Sequence, residues 1–339
     1  MLAVGFGSNG AAKTPLNFDA QCVEVNLSTF DKHSTNLSAV HVMYPIESPT
    51  LLLTLAVLAE TLSLVLFGRA NTLWRSPGMA AYPQRFVLLR SVMVMIWIHL
   101  GTAFLAPNGL GAGYDQLDFS TLILVGLGMF GGLGLVLFTL SIRSMPAQLV
   151  FFGGSLHLMV AVAVGWLLGE LISPIRLAVI AALLAAQIAV LWRDRGLWVR
   201  QQGTLRFLPF LVGFIWGTYF PLYGIAIHEF GFWRTLVSTE WGVLILAIGW
   251  AVLRQNGQWD DRSMWRNMAE QSVLSSVGQA LSGAALWWGG IIVHSILANF
   301  NVLVNISAFR IRFGEALHAK YVLYFLLYVM LAITLVWSS

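Results

Sequence analysis

The chain has 339 residues, of which 58% are hydrophobic and only 10% charged, and its formal net charge is +4. Soluble domains average about 25% charged residues, so this composition excludes an ordinary soluble protein and indicates a membrane protein. The single cysteine, Cys22, excludes an internal disulfide framework, and arginines in loops on one side of a membrane explain the positive charge better than nucleic-acid binding does.

Residues 1–45 differ from the rest of the chain because they mix Ser, Asn and Asp with isolated apolar residues. They have neither a basic start followed by an apolar core nor a cleavage-like site, so they do not form a signal peptide. Two interpretations are open: a disordered tail, or a natural start at Met43, where "MYPIESPTLLLTLAVLAETL" is typical of a membrane protein's opening. We favour the second, which peptides from residues 1–42 in the natively expressed protein would contradict.

Apolar segments of about 20 residues, the length that crosses the hydrocarbon core of a membrane, recur along the rest of the chain. We predict an all-α polytopic membrane protein with ten transmembrane helices and no separate soluble domain. The predicted helices cover residues 51–68, 88–106, 120–141, 147–169, 174–192, 207–227, 236–253, 271–289, 291–309 and 319–337. The eighth and ninth meet at Gly289–Gly290. In the third, Gly128 and Gly132 have GxxxG spacing, which predicts close contact with another helix.

Two parts of the chain repeat one pattern. In each, a Gly-Glu pair (Gly169–Glu170 or Gly314–Glu315) precedes a short polar interval and an apolar segment, and a Trp follows 22 positions after the Glu. Each copy then holds five helices. Because five is odd, the copies enter the membrane from opposite sides, and such inverted repeats hold a substrate site at their interface near the midplane. We predict repeats at residues 46–195 and 205–339; the alternative is a chance recurrence of Gly-Glu between similar apolar helices.

The two Gly-Glu pairs are interpreted as structural. Glycine can end a helix in a left-handed conformation, and the glutamate after it can pair with Arg176 in the first copy or Lys320 in the second. We therefore expect Gly169, Glu170, Gly314 and Glu315 to form corners at helix ends.

A family resemblance is carried by two segments. "LSIRSMPAQLVFFGGSLHLMVAVAVGWLLGELISPIRLAVIAALLAAQIAVLW" resembles the third-to-fifth-helix region of the EamA-like branch of the drug/metabolite transporter superfamily, where a Pro or small residue opens the fourth helix and Gly-Glu closes it. "FLVGFIWGTYFPLYGIA", with Trp216–Gly217, is similar to the sixth helix of that family. The resemblance extends over residues 50–337 and departs in the first helix and in the second-to-third connection, which has no Lys or Arg. It implies a ten-helix carrier with alternating access and no covalent chemistry.

The positive charges favour one side of the membrane. Of the 19 Lys and Arg residues, 15, including Arg90, are assigned to the odd-numbered connections, and Lys13, Lys32, Arg176 and Arg234 to the other side. By the positive-inside rule both termini then lie outside, whereas the resemblance implies that both lie inside. We favour the orientation that the charge distribution predicts, because the charges are read directly from this chain. A tag accessibility assay at the C-terminus decides between the two orientations.

Carboxyl groups fall within two predicted helices. Glu60 is midway along the first, where placing a charge in hydrocarbon costs about 2.5–3.5 kcal/mol on insertion scales, so that desolvation favours its protonated form. It is predicted either to be the coupling acid that exchanges its proton for substrate, or to be a protonated acid hydrogen-bonded to neighbouring helices. Glu240 is expected nearer a helix start, where the helix dipole favours a carboxylate, which indicates a structural role.

Other polar and aromatic side chains are candidates for a substrate cavity. His294, Asn301 and Asn305 are spaced by seven and four residues, which places them on one face of the ninth helix, and a polar face should point into the bundle. Aromatic residues of the sixth helix also share a face. The cavity candidates are His157, Trp216, Tyr219, Tyr223, Glu240, His294, Asn301 and Asn305. For each of them, core packing or interhelical hydrogen bonding is the alternative.

Two classes of function are consistent with these features. The first is a secondary active transporter in a bacterial inner membrane, exporting small metabolites such as amino acids or other amphipathic solutes by proton exchange. The second is an intramembrane transferase or flippase acting on lipid-linked substrates. Because HExxH, GxSxG and nucleotide-binding motifs are missing, we expect no enzyme activity, cofactor or metal. The expected partners are a small solute, protons and the lipid bilayer, and no nucleic acid. The sequence does not determine the identity of the substrate, the direction of transport or the oligomeric state, for which a homodimer is one alternative.

Overall fold

A computed structural model describes residues 49–76, 79, 81–114, 118–169, 172–193, 195–199, 203–253 and 262–314, together with positions 323, 326 and 330. All of them belong to one compact unit, Ser48–Ser339. The segment 1–45 and most of the predicted tenth helix lie outside these residues; Leu323, Leu326 and Met330 of that helix are helical.

The described residues form helices and no strands. In chain order these are α1 (Pro49–Leu73), α2 (Pro83–Leu105), α3 (Gly111–Tyr114), α4 (Phe119–Ser144), α5 (Ala147–Gly154), α6 (His157–Leu167), α7 (Pro174–Arg193), α8 (Arg195–Val199), the 3₁₀ helix η1 (Gly203–Phe207), α9 (Leu208–Phe230), α10 (Phe232–Leu253), α11 (Arg262–Ala298) and α12 (Asn301–Phe313). The chain is therefore an all-α membrane protein, as its composition predicts.

Seven helical segments within the described part of the chain are long and apolar enough to cross a membrane: Thr50–Leu73, Pro83–Leu105, Phe119–Ser144, Ala147–Leu167, Leu205–Phe230, Phe232–Leu253 and Met264–Ala298. A shorter apolar helix, Leu177–Arg193, falls within the predicted fifth. The predicted number of ten is thus not confirmed, because the predicted eighth and ninth helices run together in α11 and the tenth is largely outside the described residues.

Glycine 290 divides α11. Its φ of 74° and ψ of 175° are non-helical, a conformation that is reached essentially by glycine alone. The predicted eighth and ninth helices meet at this position. The helix also begins at Arg262, ahead of the predicted start at 271, because Met264 and Met268 lie one turn apart and both pack into the core.

Two predicted helices are interrupted by a turn. The predicted fourth helix consists of α5 and α6, separated by Ser155–Leu156, and the predicted ninth is interrupted at Asn299–Phe300 before α12. Both turns keep near-helical backbone angles, φ −54° and ψ −21° at Leu156 and φ −63° and ψ −17° at Phe300. The predicted ninth helix, which carries His294, Asn301 and Asn305, is therefore not continuous.

The GxxxG segment of α4 makes the close helix contact that its spacing predicts. A β-carbon on Gly128 would lie 1.9 Å from the carbonyl oxygen of Thr239 in α10, and one on Gly242 would lie 2.0 Å from that of Val125 in α4. The two backbones approach so closely that only glycine fits at either position.

Both repeat glycines take positive φ. Gly314 caps α12 in the left-handed region with φ 68°, and its N–H donates to the Arg310 carbonyl oxygen at 2.8 Å. Gly169 follows α6 with φ 89°. Glu170 and Glu315 lie outside the described residues, so the ion pairs expected with Arg176 and Lys320 remain predictions.

Candidate functional site

A cavity of about 160 Å³ lies among α1, α2, α4, α6, α9, α10, α11 and α12. A cavity needs only about 10–15 Å³ to hold one water molecule, so this cavity has room for a small organic solute. Its polar lining comprises Glu60, Asn71, Arg90, His157, Glu240, Gln271, Ser275, Gln279, Ser282, His294 and Asn301, and its aromatic lining comprises Phe67, Trp74, Phe138, Trp216, Tyr219, Phe220 and Tyr223. The cavity thus joins apolar walls to an unusual number of buried polar groups.

Glu60 and His294 lie next to each other in the lining of this cavity. Glu60 lies near the middle of α1 and His294 follows the Gly290 kink in α11, and both side chains are almost completely buried. The Nε2 atom of His294 is 3.4 Å from Oε2 of Glu60 and 2.8 Å from the hydroxyl oxygen of Ser282, which also bonds to Glu60. The three side chains therefore form a connected group that can hold a proton at several atoms.

Arg90 and Glu240 form a second pair. Nη1 of Arg90 lies 3.8 Å from Oε2 of Glu240, and the side chains are only 6% and 2% exposed. Two expectations are corrected here. Arg90 does not belong to a connection, because α2 already begins at Pro83. Glu240 is not at a helix start, because α10 begins at Phe232, so the helix dipole does not explain it and Arg90 does.

Several polar atoms around the cavity have no hydrogen-bond partner among the described residues. They are Oε2 of Glu60, Nε of Arg90, Nε2 of His157, the Tyr223 hydroxyl, Oε2 of Glu240, Oε1 of Gln271 and Nδ1 of His294. Leaving a buried polar atom unsatisfied costs about 1–3 kcal/mol, and more for a charged group. Their concentration around one space indicates groups arranged to bind a polar molecule there.

The aromatic candidates of α9 line the same cavity. The rings of Tyr219 and Tyr223 stack with centroids 5.4 Å apart, and Phe220 packs on the His294 ring at 5.3 Å. The indole N–H of Trp216 donates to the Gly131 carbonyl oxygen at 3.3 Å. One wall of the cavity is therefore a continuous aromatic surface.

The remaining candidates divide between the cavity and its surroundings. His157 lines the cavity, with Nδ1 3.2 Å from the Gly154 carbonyl oxygen, and Asn301 lines it at the start of α12. Asn305 is fully buried in an amide network instead: its Oδ1 accepts from Asn71 at 2.9 Å, and its Nδ2 donates to the Asn301 carbonyl oxygen at 2.7 Å. Asn305 thus joins α12 to α1.

Within the part of the chain that the structure describes, no group of three or more His, Cys, Asp or Glu side chains is placed to hold a metal ion.

Arg90 is the important residue that the sequence interpretation missed, together with the polar residues of α11, Gln271, Gln279 and Ser282. One signal was available for Arg90, since it stands among apolar residues in "FVLLRSVMVM". Together with Ser275, which also lines the cavity, these α11 residues recur three or four positions apart, which is a polar helical stripe.

Comparisons with known proteins identify a shared fold and no family. No family model matches the chain, and no curated protein matches it. The chain is similar to the crystal structure of a protein with 14% sequence identity and a TM-score of 0.64, over 82% of this chain and 94% of that one. At such identity the likeness concerns the fold alone.

Proposed function

We propose that the chain is a secondary active transporter of the drug/metabolite transporter type, which carries small amphipathic solutes outward by alternating access in exchange for protons. The observation that carries this proposal is the placement of two buried pairs of ionisable side chains, Glu60–His294 and Arg90–Glu240, around one cavity inside apolar helices. Ionisable groups are costly within a membrane, and they mark substrate or ion pathways there.

The interrupted helices support the inverted repeat that this proposal requires. Residues 147–154, the turn 155–156 and residues 157–167 correspond in order, and to within two residues in length, to residues 291–298, the turn 299–300 and residues 301–313. Positive-φ glycines, Gly169 and Gly314, follow both segments. The packing agrees with two copies as well. The first helix, α1, packs against α11, which contains the predicted eighth helix, and its counterpart α9 packs against α4, the predicted third helix. The proposed architecture is ten helices in two repeats.

The group of Glu60, Ser282 and His294 suits a proton-coupling acid. When Glu60 is ionised, the Ser282 hydroxyl donates to the carboxylate and accepts from the His294 N–H. When Glu60 is protonated, the carboxyl donates to the hydroxyl, which donates to the unprotonated Nε2 of His294 in its Nδ1–H tautomer. Because a hydroxyl can reverse its direction in this way, both protonation states have partners. Glu60 is therefore proposed as the residue that exchanges its proton for substrate.

Flux measured in proteoliposomes tests the proposal. Purified protein is given a pH jump with pooled amino acids and small metabolites, and wild type is compared with Glu60→Gln and with Glu229→Gln, the same chemical change at an exposed residue outside the cavity. We expect flux driven by the proton gradient in wild type and in Glu229→Gln, and at least a tenfold loss in Glu60→Gln. Undiminished flux in Glu60→Gln would exclude it as the coupling acid, and no flux of any solute would contradict the carrier itself.

A further inference from the structure

The pair formed by Arg90 and Glu240 is poorly satisfied for a buried ion pair. Removing each ion from water costs several kcal/mol, which is repaid only by good geometry and further hydrogen bonds. The 3.8 Å separation of Nη1 and Oε2 is beyond hydrogen-bond length. Within the described residues, Nε of Arg90 and Oε2 of Glu240 have no hydrogen-bond partner; Gln279 bonds to Glu240. Each charge thus has capacity left for another group.

These two side chains together offer one cationic and one anionic binding group side by side. A guanidinium matches a carboxylate through two parallel N–H···O bonds, and the carboxylate oxygen of Glu240 accepts N–H bonds from an ammonium group. A solute that carries both groups on neighbouring atoms satisfies both residues at once. Such a zwitterion also adds no net charge to the buried site. A solute with only an amine or only an acid group adds a net charge, and burying that charge has its full free-energy cost.

The wall beside the pair is aromatic. Tyr219 interacts electrostatically with both Arg90 and Glu240, and its ring stacks on Tyr223. Such a surface accommodates an apolar or aromatic substituent through burial of apolar area. The polar pair and this wall together define a solute with a zwitterionic head and an apolar side chain.

We infer that Arg90 and Glu240 bind zwitterionic solutes, with the solute's carboxylate at Arg90 and its ammonium group at Glu240, and that the cavity selects small zwitterions with apolar side chains, the chemical class of hydrophobic α-amino acids. This inference rests on the proposed function, since it specifies the substrate class of the same cavity. It assigns recognition to this pair and leaves proton exchange to Glu60.

Binding to the purified, detergent-solubilised full chain tests the inference. Three probes share a phenyl group: L-phenylalanine has both charged groups, 2-phenylethylamine lacks the carboxylate, and 3-phenylpropanoate lacks the amine. We expect titration calorimetry to give at least about tenfold weaker binding for each of the two analogues than for phenylalanine. Equal affinity of either analogue, or no binding of phenylalanine, would overturn the inference.

A neutral double variant keeps the test independent of folding. Arg90→Gln/Glu240→Gln removes both buried charges together, which is often neutral or stabilising, whereas removing one partner leaves an uncompensated charge. The matched control is Arg69→Gln/Glu270→Gln, the same change at a partly exposed ion pair of 2.7 Å outside the cavity. We expect phenylalanine binding to weaken at least tenfold in the first variant and to stay within about twofold of wild type in the control. Unchanged binding in the first variant would overturn the inference.

Flux measurements separate this inference from the proposed function. If the protein binds phenylalanine with the expected pattern but carries no solute, the inference stands and the transporter proposal fails. If it carries solutes driven by a proton gradient while Arg90→Gln/Glu240→Gln binds and carries them like wild type, the transporter proposal stands and the inference fails.

Discussion

Replacing Gly128 by alanine tests the contact between α4 and α10 that frames the cavity. The added β-carbon would lie 1.9 Å from the carbonyl oxygen of Thr239 and 2.7 Å from its Cα, whereas ordinary contact begins at 3.4 Å. The neighbouring atoms belong to the backbone, so no rotamer change relieves the clash. The two helix backbones must therefore separate locally by about 1.5 Å, which forfeits much of their dispersion contact.

The expected loss follows from these distances. Overpacking by a methyl group costs about 1–3 kcal/mol and occasionally more, and alanine returns about 0.5–1 kcal/mol through its better helix propensity. Because backbone is displaced from backbone, we expect the upper end of that range, a net loss of about 2 kcal/mol or more in the free energy of unfolding.

A matched control lies two residues away. A β-carbon on Gly126, in the same helix, meets nothing within 4 Å, so Gly126→Ala should be neutral or stabilising by up to about 1 kcal/mol. Unfolding of both variants in detergent by SDS titration, followed by tryptophan fluorescence, gives the comparison. If Gly128→Ala unfolds at the same SDS fraction as Gly126→Ala, the helices are not in the close contact described and the reasoning is refuted.

Two further predictions concern other parts of the chain. The hydrogen bond from Ser120 is the main cause that lowers the pKa of Asp118, just before α4, from its ordinary 3.8 to about 2; a backbone N–H and Arg234 assist, and partial desolvation opposes them. The stabilisation by Asp118 is therefore complete above about pH 4 and is lost as the pH falls toward 2, so Asp118→Asn should remove this slope from melting temperatures measured between pH 2 and 6. Gly290→Ala places a side chain in a glycine-only conformation and should cost about 1–3 kcal/mol of unfolding free energy in SDS titration. Gly249→Ala, with open space around it, should be neutral, and equal stability of these two variants would contradict the kink.

Local sequence features predicted those parts of the fold that depend on local physics. Apolar composition alone indicated an all-α membrane protein, and the GxxxG spacing of Gly128 and Gly132 indicated the close contact of α4. Adjacent glycines marked the kink at Gly290. In each case the residues that produce the feature lie close together in the sequence, so a short window along the chain contains all of them.

Arg90 shows why the candidate site could not be predicted to the same extent. An arginine lowers the hydropathy of any window that contains it, so the charge was assigned to a connection. It is tolerated inside α2 because Glu240 lies opposite, 150 positions later in the chain. Glu240 is stabilised by the same distant partner. The sequence around Glu240 does not contain Arg90, so the helix dipole was the only explanation that its neighbours offered. A buried ion pair is a property of two distant segments, and neither contains the other's charge.

The two buried pairs have one property in common, which links the proposed roles of the cavity. Glu60 and Arg90 belong to the first predicted repeat, and their partners, His294 and Glu240, belong to the second. If the repeats move against each other during alternating access, both pairs must lengthen or re-form. A ligand shifts a conformational equilibrium only by its different affinity for the two states. A proton at Glu60 and a zwitterion at Arg90 and Glu240 would each change the strength of a contact across that interface, so the two ligands become coupled through the motion itself.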